Sequence, residues 1–209
     1  IVNVPDYEGT AVTQKGRKTQ SVGHPLPGVA VRIVDANTFP EVYTLKPQGE
    51  EGLMLIKGPN VMRGYLNDPQ RTSEVIHNGW YVTGDIAKVD EDGFVTVVDR
   101  LSRFSKIGGE MVPHLKVEQA IQEVLAAIEP VCAVVGVPDE KKGEKLVVLH
   151  TISLNPAEII SALRAHELPN LWIPKADDFK MIPSLPVLGS GKADLKKLKE
   201  LATTSQSGG

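Results

Sequence analysis

Apolar and polar positions alternate from Val29 to Val34, and short apolar runs bounded by turn residues follow at Gly52 to Lys57 and Gly93 to Val98. A period of two places successive side chains on opposite faces of a pleated chain, so these segments predict strands. Between them stand the turn-formers Gly23-His24-Pro25-Leu26-Pro27-Gly28 and Asp90-Glu91-Asp92-Gly93, the second suited to a hairpin connection. After Arg100 the spacing changes. Val117, Ile121, Val124, Leu125 and Ile128 recur at helical intervals over a polar opposite face and predict a helix. Val131 to Val137 and Lys145 to Ile152 predict strands again, joined by the polar turn Pro138 to Glu144. Asn155 can cap a second helix, Pro156 suits its first position and Glu158 completes a capping-box-like signature ahead of Ile159, Ile160 and Leu163. Phe179 to Ile182 adds a strand and Ala193 to Leu201 a basic final helix.

This succession predicts an α+β fold: a β-rich module over residues 1–100, a compact α+β module over 101–202, and a small polar tail at 203–209 expected to be disordered. With no repeat or low-complexity linker between the modules, the short boundary is where a hinge would sit.

Composition narrows the function. The 209 residues are 41% hydrophobic and 23% charged, which is globular and leaves room for a sizeable core. Net charge is -3 with acidic and basic residues interleaved, so no basic stripe offers itself to nucleic acid. Cys132 is the single cysteine, set in an apolar run, which excludes a disulfide framework and suits a small buried hydrophobe. No segment approaches the roughly 18 consecutive apolar residues of a membrane span. Ile1-Val2-Asn3-Val4-Pro5 carries neither a signal-peptide pattern nor an initiator Met, as expected of a processed or excised end.

Four places could carry chemistry. Thr83-Gly84-Asp85 reads as the end of a strand, where a carboxylate could accept two hydrogen bonds from a vicinal diol such as ribose; an ordinary turn has the same composition. Arg100 stands at the module boundary as a phosphate or ribose ligand, or as half of a surface ion pair. Gly108-Gly109 would allow a ligand close to the main chain, or simply make a tight turn. Lys192 follows Pro186-Val-Leu-Gly-Ser-Gly191, a flexible loop before a helix. This is not a phosphate-cradling P-loop, since Pro186 stands at the required glycine and Ala193 at the required Ser or Thr. A lysine there can still act as a point charge on a developing anion. The five histidines have no metal-ligand spacing, and Trp80 and Trp172 read as packing residues.

Gly79-Trp-Tyr-Val-Thr-Gly-Asp85, Asp99-Arg100, Lys106-Ile-Gly-Gly-Glu110 and Gly189-Ser-Gly-Lys192 stand in this order. With Lys57 to Pro69 and Val134 to Glu144, they make the chain resemble the second half of adenylate-forming enzymes over about Val22 to Leu201. That resemblance implies that Asp85 binds the ribose hydroxyls of ATP or AMP, that Arg100 contacts the same nucleotide, and that Lys192 is the catalytic lysine of adenylation. It further implies that the Gly108-Gly109 loop lies along the phosphopantetheine arm of the acyl acceptor, that the hinge falls at Ser102 where relatives carry Asp or Lys, and that Mg2+ serves the full enzyme without a ligand here. Arg103-Phe-Ser-Lys106 with Gly109-Glu-Met-Val112 is similar to bacterial acyl-[acyl-carrier-protein] synthetases, often fused to 2-acylglycerophosphoethanolamine acyltransferases. The implied partners are a fatty acid, acyl carrier protein or CoA, and the N-terminal domain of the parent chain. The implied location is the cytoplasmic face, with or without attachment to the inner membrane. The triphosphate-gripping loop and the acyl pocket of relatives have no counterpart here, so the 209 residues alone are expected to be inactive. A non-catalytic binding module of the same fold is the alternative.

Overall fold

The computed structural model describes residues 1–166 and 168–204. The chain divides into two compact units, Ile1–Ser102 and Arg103–Gly209.

In the first unit the ribbon β1 (Tyr7–Glu8) and β2 (Thr13–Gln14) precedes β3 (Ala30–Val34) and β4 (Gly52–Lys57). The helix α1 (Pro69–Val75), β5 (Ile76–His77), β6 (Trp80–Val89) and β7 (Val95–Arg100) follow. Five of these strands make one antiparallel sheet in which β4 lies between β3 and β6, while β5 and β7 both pair with β6. Leu53, Met54 and Leu55 are all buried because the central strand β4 is covered on both faces, which is why it reads as an unbroken apolar run. The Asp90–Gly93 connection closes as the sequence predicts, with Gly93 N donating to Asp90 O at 3.0 Å and Phe94 N to Asp90 Oδ1 at 2.9 Å. Lys18 pairs with Asp90 at 2.5 Å, and this bond holds the lysine pKa above its usual value. The helix α1 has no apolar periodicity, because it buries no residue; Asp68 caps it by accepting from Arg71 N at 2.9 Å and Pro69 opens it.

In the second unit β8 (Phe104–Ile107) and β9 (Glu110–Pro113) form a hairpin. The helix α2 (His114–Val124), the antiparallel pair β10 (Cys132–Asp139) and β11 (Gly143–His150), α3 (Pro156–Ala165), β12 (Phe179–Met181) and α4 (Leu195–Thr203) follow. β11 pairs with β10 on one edge and with β8 and the parallel β12 on the other. The period of two sorts the sheet's side chains cleanly. Cys132, Val134, Leu146 and Val148 pack with Val117 and Ile121 of α2 and Ile159 and Leu163 of α3. Ala133, Val135, Val137, Val147 and Leu149 pack with Leu198 and Ala202 of α4. The unit is therefore three layers, helices on both faces of a sheet.

Three expectations need correction. The predicted helix through Ile128 stops at Val124, because Ala126 takes a left-handed φ of 49° and Ile128 is 98% exposed. The helix opens at His114, ahead of the predicted apolar series, after a β-hairpin that sequence reading did not resolve. At α3 the cap holds, with Asn155 Oδ1 accepting from Ala157 N at 3.1 Å, but Glu158 returns to the Asn155 side-chain amide at 2.9 Å rather than to its main chain. The expected polar tail lies outside the described residues from position 205 onward, and Thr203 ends α4. Among the described residues no helix is long and apolar enough to cross a membrane.

Candidate active site

Asp85 does not end a strand; it sits within the ten residues of β6, at a bulge. Val82 is paired with Leu55 and Ile86 with Leu53, so Thr83, Gly84 and Asp85 together oppose Met54 alone. Gly84 takes the surplus length at φ 72°, a conformation that costs a side-chain-bearing residue free energy. The Thr83 hydroxyl fills the broken ladder, donating to Met54 O at 2.9 Å and accepting from Asp85 N at 3.0 Å. On the other edge a second irregularity between Ile86 and Ala87 brings Asp85 opposite Arg100, the last residue of β7. Arg100 Nε meets Asp85 Oδ1 at 2.8 Å, and its Nη1 donates to Thr83 O at 3.3 Å. The side chains are 63% and 19% exposed, so the pair adds little stability but holds a carboxylate and a guanidinium together at the rim of the sheet. The fold thus joins two residues that the sequence singled out separately. Ser102 lies exposed in the 3-10 turn Leu101–Arg103, where the two units meet in sequence.

In the second unit Gly108 and Gly109 are the two turn residues of the β8–β9 hairpin, closed by Ile107 opposite Glu110, with φ of 59° and 91°. Two consecutive left-handed residues match the right-handed twist of the flanking strands, which is why glycine occupies both. The tight-turn reading is what the structure displays, and both glycines remain exposed at the tip. Lys106 N donates to Glu144 Oε2 at 2.6 Å and Gly108 N to Lys142 O at 2.9 Å, which seats the hairpin on the start of β11.

Lys192 lies on a small hairpin of its own. Val187 bridges Ala193, Leu188 N donates to Lys192 O at 2.7 Å, and Gly191 N donates to Leu188 O at 2.8 Å. Asp194 then caps α4 by accepting from Lys197 N at 3.0 Å. The Lys192 side chain is exposed and has no ion-pair partner among the described residues.

The sequence assigns no individual role to several residues that shape these sites. Ser105 in β8 and His114 at the start of α2 are 0% and 1% exposed, and Ser105 Oγ and His114 Nε2 share a 2.8 Å hydrogen bond. Glu118 binds Arg103 and also accepts from Val134 N at 2.8 Å, tying the first residue of this unit to α2 and β10. Burial, followed by the nearby Glu118 charge, pushes the Cys132 thiol up to about 12, so it is inert near neutral pH.

Burial, then the charges of Arg103 and Lys199, lowers the His114 pKa from 6.5 to about 3. The unfolded chain takes up a proton below 6.5 that the folded chain refuses. His114 therefore contributes nothing against folding above that pH, and costs stability progressively as pH falls from 6.5 toward 3. At pH 5 the cost is about 2 kcal/mol. Urea titrations of the 209-residue chain should show a falling midpoint below pH 6.5, and the His114 ring proton signals should not titrate between pH 7 and 5. A titration midpoint near 6.5 would refute the buried neutral imidazole.

Comparison with known proteins identifies the family. Residues 7–66 match the model for an AMP-binding enzyme, and residues 116–192 match the AMP-binding enzyme C-terminal domain. The chain belongs to the adenylate-forming, AMP-binding enzyme family. It is 40% identical over 150 residues to a feruloyl-CoA synthase of Amycolatopsis sp, covering 70% of this chain and 30% of that one. It is 34% identical over 183 residues to a long-chain-fatty-acid–CoA ligase of Yersinia pestis, covering 86% and 31%. The crystal structure of ATP-bound MatB from Rhodopseudomonas palustris superposes with a TM-score of 0.68 at 30% identity, over 87% of this chain and 35% of that one. The chain thus spans about a third of the length of the relatives it matches.

Proposed function

We propose that this chain supplies the C-terminal part of an ATP-dependent acid–thiol ligase. The whole enzyme would join a fatty acid to ATP as an acyl-adenylate, releasing pyrophosphate. It would then pass the acyl group to the phosphopantetheine thiol of acyl carrier protein, releasing AMP. The observation that carries this reading is the ordered match of one chain to the AMP-binding enzyme model and then to the AMP-binding enzyme C-terminal domain, with Lys192 the last matched residue and exposed on its hairpin.

Each role is the one the family resemblance implies, and the chemistry of the side chain suits it. The Asp85 carboxylate accepts from vicinal ribose hydroxyls, and the outward-facing Arg100 guanidinium donates to the same nucleotide. Lys192 places a positive charge between the acid's carboxylate and the α-phosphate, where negative charge builds up during attack. Gly108 and Gly109, with no side chains, let the pantetheine arm lie along the main chain. Ser102 is the pivot that lets the second unit serve the two steps in turn. Among the described residues no group of three or more His, Cys, Asp or Glu side chains could together hold a metal ion.

Carrier protein as acceptor is supported by Arg103-Phe104-Ser105-Lys106 with Gly109-Glu110-Met111-Val112. CoA is the second reading, favoured by relatives named as CoA ligases. Full-length enzyme given ATP, a panel of fatty acids and either holo-acyl carrier protein or CoA should yield acyl-carrier thioester, read by mass spectrometry. The isolated 209 residues should give no ATP–pyrophosphate exchange. Transfer to CoA alone would remove the carrier-protein clause, and robust exchange by the isolated chain would overturn the division of labour.

A further inference from the structure

We infer that Ser105 and His114 are positioning residues for the thiol-transfer step, acting through the Gly108-Gly109 turn; this rests on the reading that the turn receives the phosphopantetheine arm. The β8–β9 hairpin has its glycine tip at one end and, at the other, a root where Phe104 pairs with Pro113 and Ser105 with Val112. His114 follows directly, so the 2.8 Å hydrogen bond between Ser105 Oγ and His114 Nε2 clasps the two arms of the hairpin where they leave the core.

The clasp is buried and shape-locked. Neither side chain has more than 1% of its surface exposed, and Gly136 of β10 lies so close that a Cβ there would sit 1.8 Å from Ser105 Oγ. An unpaired hydroxyl or imidazole in that position has no water to turn to, so the pair holds one geometry. The tip itself is exposed and has few constraints. A Cβ on Gly109 would touch nothing within 4 Å, while one on Gly108 would reach only the Leu171 methyls at 3.7 and 3.9 Å. Direction is therefore imposed on the tip from the strands: by the Lys106 and Gly108 amides held on Glu144 and Lys142, and by the Ser105–His114 clasp at the root. Lys192 stands on a separate hairpin whose hydrogen bonds involve neither Ser105 nor His114, so the clasp is expected to bear on transfer rather than on the adenylation charge.

The test uses the full-length enzyme with Ser105→Ala, His114→Phe and His114→Gln, the last retaining a side-chain amide able to meet Ser105 Oγ. ATP–pyrophosphate exchange reads adenylation, and thioester formation with holo-acyl carrier protein or CoA reads transfer. Ser105→Ala and His114→Phe should lower kcat/KM for the thiol by roughly 10- to 100-fold, the scale of a misplaced reacting group. Exchange should stay near wild type, and His114→Gln should recover most of the transfer rate. Parallel loss of exchange and transfer would show a merely structural pair and overturn the inference, as would variants that transfer as fast as wild type. Wild-type enzyme that exchanges pyrophosphate but acylates neither thiol would instead overturn the reading of the turn itself, and the positioning role with it.

Discussion

Gly136→Ala is expected to destabilise the second unit by about 3 kcal/mol, through forced repacking of a filled core. Two effects oppose each other here. Alanine restricts the unfolded chain and suits a strand interior better than glycine does, a gain of roughly 0.5–1 kcal/mol. Against this, the new Cβ would stand 1.8 Å from Ser105 Oγ and 3.1 Å from both Ser105 Cβ and Glu144 Oε1, distances that require movement. Ser105 cannot yield cheaply, because it is fully buried and its hydroxyl is committed to His114. The steric term wins. Thermal denaturation of the 209-residue chain should show the melting temperature of the second unit lowered by about 10 °C or more, given the steep dependence for a unit of this size. The double variant Ser105→Ala/Gly136→Ala should recover part of the loss, since the shortest contact is to the hydroxyl. A single variant that melts with wild type would mean that β10 and β8 are not packed as described.

What could be read in advance, and what could not, divides along physical lines. Gly52 to Lys57 and the paired strands of the second unit were legible, because a strand covered on both faces shows a dense apolar run between turn residues. The start of α3 was legible because Asn155-Pro156 is a local stop-and-start signal. Asp68-Pro69 is the same signal at α1, but no apolar face follows it to mark a helix. The β8–β9 hairpin escaped because Phe104-Ser-Lys-Ile107 mixes a buried hydroxyl with an exposed lysine in only four residues. At the candidate site, Asp85 and Arg100 were visible as residue types, and Gly108-Gly109 as a turn. What composition could not reveal was the bulge that sets Thr83-Gly84-Asp85 against Met54 and the register that brings Arg100 opposite Asp85, since a bulge and a strand end use the same residues. Ser105 and His114 meet across a hairpin nine residues apart, a relation that only the register creates.

Lys192→Ala in the full-length enzyme should lower adenylation roughly 10²- to 10³-fold, the usual cost of deleting one preorganised charge or donor at a developing anion. The substitution should leave the fold intact. The Lys192 side chain is exposed, its main-chain carbonyl still accepts from Leu188 N in the alanine variant, and the cap of α4 belongs to Asp194. A stability change within about 0.5 kcal/mol is expected, as for surface positions generally. Lys192→Arg should recover only part of the rate, because a planar fork on a longer arm puts the same charge at a different point. The sharper readout separates the half-reactions: with acyl-adenylate supplied ready-made, Lys192→Ala should still form thioester near the wild-type rate, since in the proposed role the charge acts only while the phosphoanhydride is being broken. Loss of both half-reactions with an unchanged melt would mean that Lys192 serves the second step as well. An unchanged adenylation rate would remove Lys192 from the chemistry, leaving its exposure on the Val187–Ala193 hairpin without a function.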